Sequence, residues 1–435
     1  MLKFGTDGIR GRAYDELTVA DVEALAFVAG QVLGGDAMVV GTDTRASGPD
    51  FVAAICRGIA RHGIEPWFVG DAPTPAVAAA AQRHGVPGAM VSASHNPFHD
   101  NGIKFFGAGG RKLTDDQQET MEARLATLEP LTPLEGVTAI DRSDLVAAYG
   151  EFVAGTLEGR SLEGLRVVVD CANGAASKIA PSTLAGLGAE VIAIHDQPDG
   201  QNINDGAGST HMERLRERVV QSDASLGVAF DGDADRMLAV DGAGNVVDGD
   251  EIIAICAIDR AARGALVGNT VVVTVMTNLG FHQGMARRDI EVHQTPVGDR
   301  HVLEALEHNG WVLGGEQSGH VIFHDLAPTG DGLLTCVQLL DTVVRAGATL
   351  AELAADAMVR LPQRLRSVQV DRTASAAMEA IADDIDRVAA GLGDSGRLLV
   401  RPSGTEPLIR VMAEAPTQDA ADAAVDDLVG VLQSL

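Results

Sequence analysis

Ser94 stands in a setting that could make it a nucleophile. It lies in the loop formed by residues 92–97, with the sequence SASHNP, directly after the apolar run of residues 89–91. This pattern predicts a strand that ends in a turn and exposes the hydroxyl beside the polar side chains of His95 and Asn96. A serine is a weak nucleophile until a base, a metal ion or a charged neighbour activates it, so the loop alone also fits an ordinary turn.

Lys104, downstream of this loop, is a candidate for proton transfer. The chain has only four lysines among its 33 basic residues, so a lysine here is notable. A lysine ammonium can act as an acid or base once it is desolvated, whereas arginine stays protonated. We therefore consider Lys104 a candidate general acid or base.

Three aspartates, Asp231, Asp233 and Asp235, follow the apolar strand predicted over residues 226–230. If the chain stays extended, their alternation places the three carboxylates on one side, where they can bind one hard cation. A calcium loop starts with the same spacing but needs glycine at its sixth position and glutamate at its twelfth, which here are Arg236 and Gly242. The pattern predicts a magnesium site with positions left for a phosphate oxygen. A solvated acidic turn is the alternative.

A glycine-flanked loop with the sequence GGEQSGH occupies residues 314–320. Glu316, Ser318 and His320 could bind sugar hydroxyls, and the glycines would let the backbone come close. Arg300, in the upstream segment PVGDR, is a further candidate contact. The same composition also suits a tight turn.

Residues 401–407, with the sequence RPSGTEP, have the composition of an anion site. Small residues in a turn present successive N–H groups, the hydroxyls add donors, and arginines supply charge. The glycine spacing is not that of a P-loop, which argues against nucleotide binding, and a plain surface turn is the alternative. The candidate ligands of the anion are Arg401, Ser403, Gly404, Thr405 and Arg410.

The overall charge makes such a local cluster of cations necessary for any phosphorylated ligand. The formal charge of -28 opposes non-specific nucleic-acid binding, which depends on basic surface, and it repels anions at long range. We therefore expect a small-molecule partner and no nucleic acid.

The cysteines and the apolar runs bear on the cellular location of the protein. All four cysteines lie in apolar settings without zinc or redox spacing, which predicts buried thiols. Nothing resembles a signal peptide, and no apolar run reaches the roughly 18 residues that span a bilayer. We expect a cytoplasmic protein without membrane contact.

With 435 residues, the chain exceeds the usual size of a single core. Segments 39–45, 167–174 and 271–280 each combine a β-branched run with a polar turn that leads into a helical stretch. Their recurrence suggests three related α/β domains, although any α/β protein contains such units.

The pattern changes after residue 364 and predicts a small α+β domain. Its predicted strands cover residues 367–370, 398–400 and 409–413, and its predicted helices cover 375–390 and 419–432. Loops at 129–142, near Asp248 and at 361–364 mark the boundaries. The predicted domains are residues 1–142, 143–248, 249–363 and 364–435.

In their order along the chain, these motifs resemble the α-D-phosphohexomutase superfamily, and the opening segment FGTDGIRG at residues 4–11 fits it too. The loop around Gln317 and residues 401–412 are most similar to the bacterial phosphoglucosamine mutases, since phosphomannomutases and phosphoglucomutases usually differ at that glutamine. The resemblance extends from residue 4 to about residue 415. It implies three mixed α/β domains and a smaller C-terminal α+β domain around a central cleft.

The resemblance also implies a role for each candidate residue. Ser94 would carry phosphate and bind Mg²⁺ together with Asp231, Asp233 and Asp235. The groups around the transfer site would be Arg10, His95, Lys104 and Arg236. Glu316, Ser318 and His320 would read the sugar, with Arg300 as a further contact, and Arg401, Ser403, Gly404, Thr405 and Arg410 would hold the distal phosphate.

The implied activity interconverts glucosamine 6-phosphate and glucosamine 1-phosphate, which supplies UDP-N-acetylglucosamine and cell-wall synthesis. Phospho-Ser94 would phosphorylate the C1 hydroxyl, and the 1,6-bisphosphate would turn over and return its other phosphate. One Mg²⁺ per chain and glucosamine or glucose 1,6-bisphosphate are the implied cofactors, and a homodimer is the candidate assembly. Lys104 is the first choice for general acid or base, with His95 and His320 as further candidates.

Three alternatives stay open at this point. A mutase for glucose or mannose phosphates would carry the same motifs, because the contacts that read C2 cannot be placed from sequence. A metal-dependent phosphatase using Ser94 would release inorganic phosphate. A non-catalytic sugar-phosphate sensor would be expected to lack the serine or an aspartate, and all of them are present.

Overall fold

The computed structural model describes residues 2–5, 7–370, 373–402 and 408–435. These residues divide into two compact units. The first contains the chain up to Met276 together with Asp289–Asp356, and the second contains Thr277–Arg288 together with the chain from Ala357 onwards.

Three mixed sheets form the framework of the first unit. The first sheet contains β1 (Ile9–Arg12), β2 (Ala37–Thr42), β3 (Glu65–Asp71), β4 (Gly88–Val91), β5 (Asp100–Phe106) and β6 (Ile140–Asp141), in the order β1-β5-β4-β2-β3-β6. The second contains β7 (Arg166–Asp170), β8 (Glu190–Ile194), β9 (Leu226–Phe230), β10 (Met237–Asp241) and β11 (Val246–Val247), in the order β11-β10-β9-β7-β8. The third contains β12 (Thr270–Thr274), β13 (Glu291–Thr295), β14 (Leu313–Gly315) and β15 (Val321–Phe323), in the order β13-β12-β14-β15.

The three sheets share one topology. The strands β2, β7 and β12, which begin the three recurring segments, each pair in parallel with the next two strands along the chain. The later of those two, β4, β9 or β14, then pairs antiparallel with its successor, β5, β10 or β15. This shared arrangement confirms the prediction of three related α/β domains.

Helices cover these sheets, and several of them begin at a residue whose side chain caps the helix. Thr18 and Asp21 form a capping box at the start of the first helix, each side chain accepting the other's backbone N–H. The helices up to the second unit's C-terminal segment are α1 (Val19–Leu33), α2 (Gly48–Ala60), α3 (Thr74–His84), α4 (Asp115–Ala126), α5 (Asp144–Gly155), α6 (Ala176–Gly186), α7 (Glu213–Gln221), α8 (Gly249–Ala262), α9 (Leu279–Ala286), α10 (Asp299–Asn309), α11 (Gly332–Ala346) and α12 (Leu350–Ala357). Among the described residues, no single helix is long and apolar enough to cross a membrane. One pair of consecutive helices, α11 and α12, is long and apolar enough when taken together, but the two helices meet at a 94° bend.

The central strands are buried along their whole length. Every residue of β2, β4, β9 and β12 is buried, and valine, alanine and other apolar residues make up most of their sequences. Such strands belong to sheets that are covered on both faces. Polar residues are therefore concentrated where the strands end.

The second unit is a small α+β structure, as predicted. Its strands β16 (Gln363–Gln369), β17 (Arg397–Pro402) and β18 (Leu408–Glu414) form an antiparallel sheet in the order β16-β18-β17. Its helices after α12 are α13 (Ala374–Ala380), α14 (Ala382–Leu392) and α15 (Gln418–Gln433). The prediction of one helix over 375–390 is wrong, because Ile381 leaves the helical backbone conformation while its side chain is fully buried in the core of the unit.

Helix α9 follows the third recurring segment in sequence but belongs to the second unit. The buried Glu414 carboxylate accepts hydrogen bonds from Leu279 N at 2.8 Å, Gln363 Nε2 at 2.8 Å and Arg397 Nη2 at 3.0 Å. A Cβ atom at Gly280 would lie 1.9 Å from Val359 O, so the helix packs directly on the backbone. The bounds of the four domains inferred from the sequence stay a prediction.

Asp331 is a buried carboxyl that joins α11 to α5. Its Oδ1 accepts hydrogen bonds from Leu334 N at 2.9 Å, which caps α11, and from the Tyr149 hydroxyl at 2.7 Å. Burial raises the pKa of Asp331 to about 6, although these hydrogen bonds act in the opposite direction.

This raised pKa predicts a pH-dependent contribution to stability. An acid whose pKa is higher in the folded than in the unfolded state destabilises the fold as pH rises, because the unfolded chain loses the proton first. From pH 4 to pH 6, the wild-type protein should lose about 2 kcal/mol relative to Asp331→Asn, which keeps an acceptor for Tyr149. Thermal unfolding of both proteins from pH 4 to pH 8 measures the difference. A difference that stays constant with pH would contradict the prediction.

Candidate active site

The three loops predicted to carry chemistry occupy equivalent positions in the three sheets. Residues 92–99 connect β4 to β5, residues 231–236 connect β9 to β10, and residues 316–320 connect β14 to β15. Each loop therefore leaves the end of the last parallel strand and returns antiparallel. The structure brings side chains of all three loops into contact.

Ser94 lies in its loop with a left-handed backbone conformation, φ 52°. Its Oγ donates a hydrogen bond of 2.6 Å to Asp231 Oδ2 and lies 3.3 Å from His95 Nδ1. The residue is fully buried, so the prediction of an exposed hydroxyl is wrong: the aspartate loop lies against it. A hydroxyl that donates to a carboxylate is oriented and partly activated by that contact.

The aspartate loop forms a turn, so the extended conformation that was the condition for aligning the three carboxylates does not continue past β9. β9 ends at Phe230, and Ala234 has a left-handed backbone with φ 56°. The turn still brings ligand oxygens of Asp231, Asp233 and Asp235 to within 4.8 Å of one another. All three residues are buried.

The oxygens of this cluster are suited to a divalent cation. Asp233 Oδ1 and Asp235 Oδ1 are buried, and within the described part of the chain neither has a hydrogen-bond partner. Burial and the charges of Asp235 and Asp233 raise the pKa of Asp231 well above its usual value. Three hard oxygen ligands with unmet charge fit Mg²⁺, which favours carboxylates and keeps positions for phosphate oxygens.

Lys104 compensates part of this negative charge. Its Nζ lies 2.7 Å from Asp233 Oδ2, 3.2 Å from Asp235 Oδ2 and 2.7 Å from Asp7 Oδ2. Burial alone would lower the pKa of Lys104, but the three carboxylates outweigh it and raise the pKa well above its usual value. In the described structure Lys104 is therefore a protonated donor.

A chain of alternating charges continues from Asp7 to the third loop. Lys112 Nζ lies 2.9 Å from Asp7 Oδ1 and also contacts Asp299. His320 lies between two acids, with Nε2 3.3 Å from Asp299 Oδ2 and Nδ1 3.7 Å from Asp235 Oδ1. Burial opposes the charged imidazole, but these two carboxylates raise the pKa of His320.

Two arginines and His95 border the cluster. Arg10 Nη2 lies 2.6 Å from Asp7 Oδ2, and Arg236 Nε lies 3.8 Å from Asp235 Oδ1. Both guanidinium groups are about one-quarter exposed, so they can also reach an anionic ligand. Burial, followed by the charges of Arg236 and Arg10, lowers the pKa of His95, which favours a neutral ring at neutral pH.

The third loop is held by backbone contacts that leave Ser318 exposed. Glu316 Oε1 accepts a hydrogen bond from Gly298 N at 3.0 Å, and Gln317 O accepts one from Gly249 N at 3.1 Å. A Cβ atom at Gly249 would lie 2.2 Å from Glu316 O, so this contact requires glycine. Of the predicted sugar-binding residues, His320 is the one that contacts the acid cluster, which consists of Asp231, Asp233 and Asp235.

Arg300 does not join the acid cluster. Its Nε donates to Glu304 Oε1 at 2.9 Å, and its Nη1 contacts Asp115. Its assignment as a sugar contact stays a prediction.

The predicted anion site lies partly outside the described residues, because these do not include Ser403, Gly404 and Thr405. The two arginines that flank the segment stand directly opposite each other in the pairing of β17 with β18. Burial and the charge of Arg410 lower the pKa of Arg401. Like charges placed opposite each other in a sheet are unfavourable without an anion, which is consistent with the predicted phosphate binding.

The chain matches the families described as Phosphoglucomutase/phosphomannomutase, alpha/beta/alpha domain I at residues 1–131, domain II at residues 147–244 and domain III at residues 248–361. The family described as Phosphoglucomutase/phosphomannomutase, C-terminal domain, matches residues 365–431. The chain belongs to the phosphoglucomutase/phosphomannomutase family. The predicted resemblance to the phosphohexomutases and the predicted fold class are thereby confirmed.

Two relatives within the phosphoglucomutase/phosphomannomutase family are similar over their whole length. The phosphoglucosamine mutase of Frankia casuarinae is 49% identical over 447 residues, which cover 99% of this chain and 98% of the relative. The phosphoglucosamine mutase of Thermobifida fusca is 49% identical over 440 residues with the same coverage. Among solved structures, a putative phosphomannomutase from Thermus thermophilus has a TM-score of 0.83 at 25% identity and covers 99% of both chains.

Several residues that contact the predicted site were missed in the sequence. Asp7 and Lys112 bind the charged groups described above, and Thr74 Oγ1 donates to Asp233 Oδ2 at 2.5 Å. Lys112 could have been singled out as Lys104 was, because it is another of the four lysines. Asp7 lies within the family's opening motif. Thr74 carries no such signal.

The repulsion among the carboxylates predicts a specific effect of Asp231→Asn. In metal-free buffer at neutral pH this variant should melt at a higher temperature than wild type, because it removes a carboxyl whose ionisation is opposed by burial and by the charges of Asp235 and Asp233. Saturating Mg²⁺ should raise the wild-type Tm by about 2–4 °C and the variant's by much less. Thermal unfolding with EDTA and then with Mg²⁺ measures both effects.

The matched control is Asp170→Asn, which changes a buried aspartate at the end of β7 that lies 3.0 Å from His195 Nδ1. It should lower the metal-free Tm and keep the Mg²⁺-induced increase. An unchanged Mg²⁺ response of Asp231→Asn would contradict the assignment.

Proposed function

We propose that this chain interconverts glucosamine 6-phosphate and glucosamine 1-phosphate through a phosphoserine at Ser94. The observation that carries the proposal is the 2.6 Å contact between the Ser94 hydroxyl and the aspartate cluster, in a chain 49% identical to phosphoglucosamine mutases over its full length. A nucleophile beside carboxylates suited to a metal is the arrangement that phosphoryl transfer needs.

The proposed reaction begins with phosphorylated Ser94. The C1 hydroxyl of glucosamine 6-phosphate attacks the phosphorus, its O–P bond forms, the bond to Ser94 Oγ breaks, and the hydroxyl proton passes to a base. The resulting 1,6-bisphosphate turns over, and Ser94 Oγ takes the phosphate from O6 while that oxygen regains a proton. The phosphoenzyme is restored, and the net change is an isomerisation.

The residues around Ser94 would have different roles in this reaction, according to their charge. Arg10 and Arg236 are partly exposed cations beside the cluster and would bind oxygens of the transferring phosphate. Lys104 is protonated and would donate to a departing oxygen, whereas the lowered pKa of His95 leaves its ring free to accept a proton. His320, held by two acids, is the third candidate for proton transfer.

The acid cluster would hold one Mg²⁺ through Asp231, Asp233 and Asp235. When bound, Mg²⁺ would neutralise charge on the phosphate oxygens during transfer. Glu316, Ser318 and Arg300 would bind the sugar, and Arg401 and Arg410 with residues 403–405 would bind the phosphate that is not transferred. A bisphosphate activator, a homodimer and a cytoplasmic location stay predictions, as does the supply of UDP-N-acetylglucosamine.

A substrate panel tests the proposal. Purified protein with Mg²⁺ and glucose 1,6-bisphosphate should convert glucosamine 6-phosphate with a kcat/KM at least about tenfold above that for glucose or mannose 6-phosphate. Inorganic phosphate should not accumulate. Equal or better activity with glucose or mannose phosphate would indicate the alternative mutase, and stoichiometric phosphate release would indicate a phosphatase.

Ser94→Ala is the control for the nucleophile in the same panel. It should lose turnover by a factor of about 10⁴ or more while keeping its Tm, because no other group can carry the phosphate. Ser182→Ala, which removes an exposed hydroxyl on α6, should behave like wild type. Activity retained by Ser94→Ala would exclude the phosphoserine mechanism.

A further inference from the structure

The backbone carbonyls of the serine loop are held by a buried arginine. Arg45 Nη2 donates to Ser94 O at 2.9 Å and to Asn96 O at 2.8 Å, and Nη1 donates to Pro97 O. Its Nε donates to Asp43 Oδ2 at 2.9 Å, and neither side chain of this ion pair is exposed. The planar guanidinium group thus binds three backbone carbonyls of the serine loop.

A second donor reaches the same carbonyls from the segment that precedes α7. Asn204 Nδ2 donates to Ser94 O at 2.9 Å and to Asn96 O at 3.0 Å. Asn204 is buried and has a left-handed backbone, φ 60°, with its own N–H bonded to Ala172 O at 2.9 Å. Asparagine tolerates this conformation better than most residues.

The aspartate loop packs against the same point. A Cβ atom at Gly232 would lie 2.5 Å from Ser94 O and 2.8 Å from Asn204 Nδ2. Ser94 O therefore marks the place where the serine loop, the aspartate loop and the segment around Asn204 meet. A shift of this carbonyl would change the position of Ser94 Oγ relative to Asp231.

The conformation of Ser94 gives these donors a function beyond stability. A non-glycine residue in the left-handed region is strained and persists only where its surroundings fix it. The two donors on Ser94 O, together with the hydrogen bond of 2.9 Å from Ser94 N to Ser92 Oγ, hold the backbone on both sides of the residue.

We infer that Asn204 and Arg45 are positioning residues for phosphoryl transfer at Ser94, an inference that rests on the proposed phosphoserine mechanism. Their side chains donate to backbone carbonyls of the serine loop and would act through that loop. They fix the Ser94 and Asn96 carbonyls so that the nucleophile stays aligned with the aspartate cluster. Loss of this alignment slows transfer without weakening the contacts that bind the sugar.

Asn204→Gly tests the inference more cleanly than an Arg45 variant. Removing Arg45 would leave Asp43 buried and unpaired, which threatens folding itself. Glycine at position 204 accepts the left-handed backbone and removes the amide donor together with the rest of this small side chain. Asn204→Asp serves as a second variant, because it keeps the size and the backbone preference but cannot donate.

The matched control is Asn269→Gly. Asn269 also has a left-handed backbone, φ 49°, and its Nδ2 donates to one carbonyl, Asp289 O, at 2.6 Å. It is exposed and has no contact with the serine loop among the described residues.

Both Asn204 variants should lower kcat for glucosamine 6-phosphate by about 10–100-fold, with KM within about threefold of wild type. Single-turnover transfer from phospho-Ser94 to the sugar should slow by the same factor. The Tm of Asn204→Gly should stay close to that of Asn269→Gly, whereas the Tm of Asn204→Asp should be lower, because this variant buries an unpaired carboxylate beside two carbonyls. The control should keep wild-type kcat.

Several results would overturn the inference. A kcat within twofold of the control, a raised KM at constant kcat, or unfolding of both Asn204 variants would show that Asn204 does not position the nucleophile. An inactive wild-type protein would instead refute the proposed function itself, and the wild-type and Ser94→Ala arms distinguish that case.

Discussion

The convergence of Asp231, Asp233 and Asp235 in a buried site is the constraint on which the surrounding structure depends. Carboxylates that face one another away from water are stable only where cations meet them. Lys104 supplies that charge on one side and is itself bound to Asp7. Two carboxylate oxygens stay without a hydrogen-bond partner among the described residues, and this is where a divalent cation would complete the balance.

A repeated topology solves the problem of bringing these groups together. In each sheet of the first unit the last parallel strand turns back into an antiparallel one, and the connecting loop lies at the strand end. One such loop carries Ser94, the next carries the three aspartates, and the third carries His320. Ligand sites at the ends of parallel strands are general in α/β proteins, and here three copies of one hairpin contribute to a single site.

The sequence was informative where residue types and spacing carry chemistry within one segment. The serine loop, the aspartate triplet and the scarce lysine at position 104 could be predicted, because each signal is local. The α/β units could be predicted from their buried, β-branched strands. The order of the family motifs along the chain then predicted that these loops take part in one reaction.

Contacts between distant segments could not be predicted in the same way. Nothing in the sequence shows that Arg45 and Asn204 bind the same carbonyl of Ser94, or that Arg300 pairs with Asp115. The turn at Ala234 was missed because alanine does not signal a left-handed backbone. Such features depend on tertiary packing, which a local pattern does not encode.

The most direct measurement follows the phosphate itself. The protein is incubated with Mg²⁺ and radiolabelled glucose 1,6-bisphosphate, and the labelled peptide is identified by mass spectrometry. We expect one phosphate on the peptide that contains Ser94, and its transfer to the sugar when glucosamine 6-phosphate is added. A label on another residue, or a labelled Ser94 that glucosamine 6-phosphate does not discharge, would contradict it.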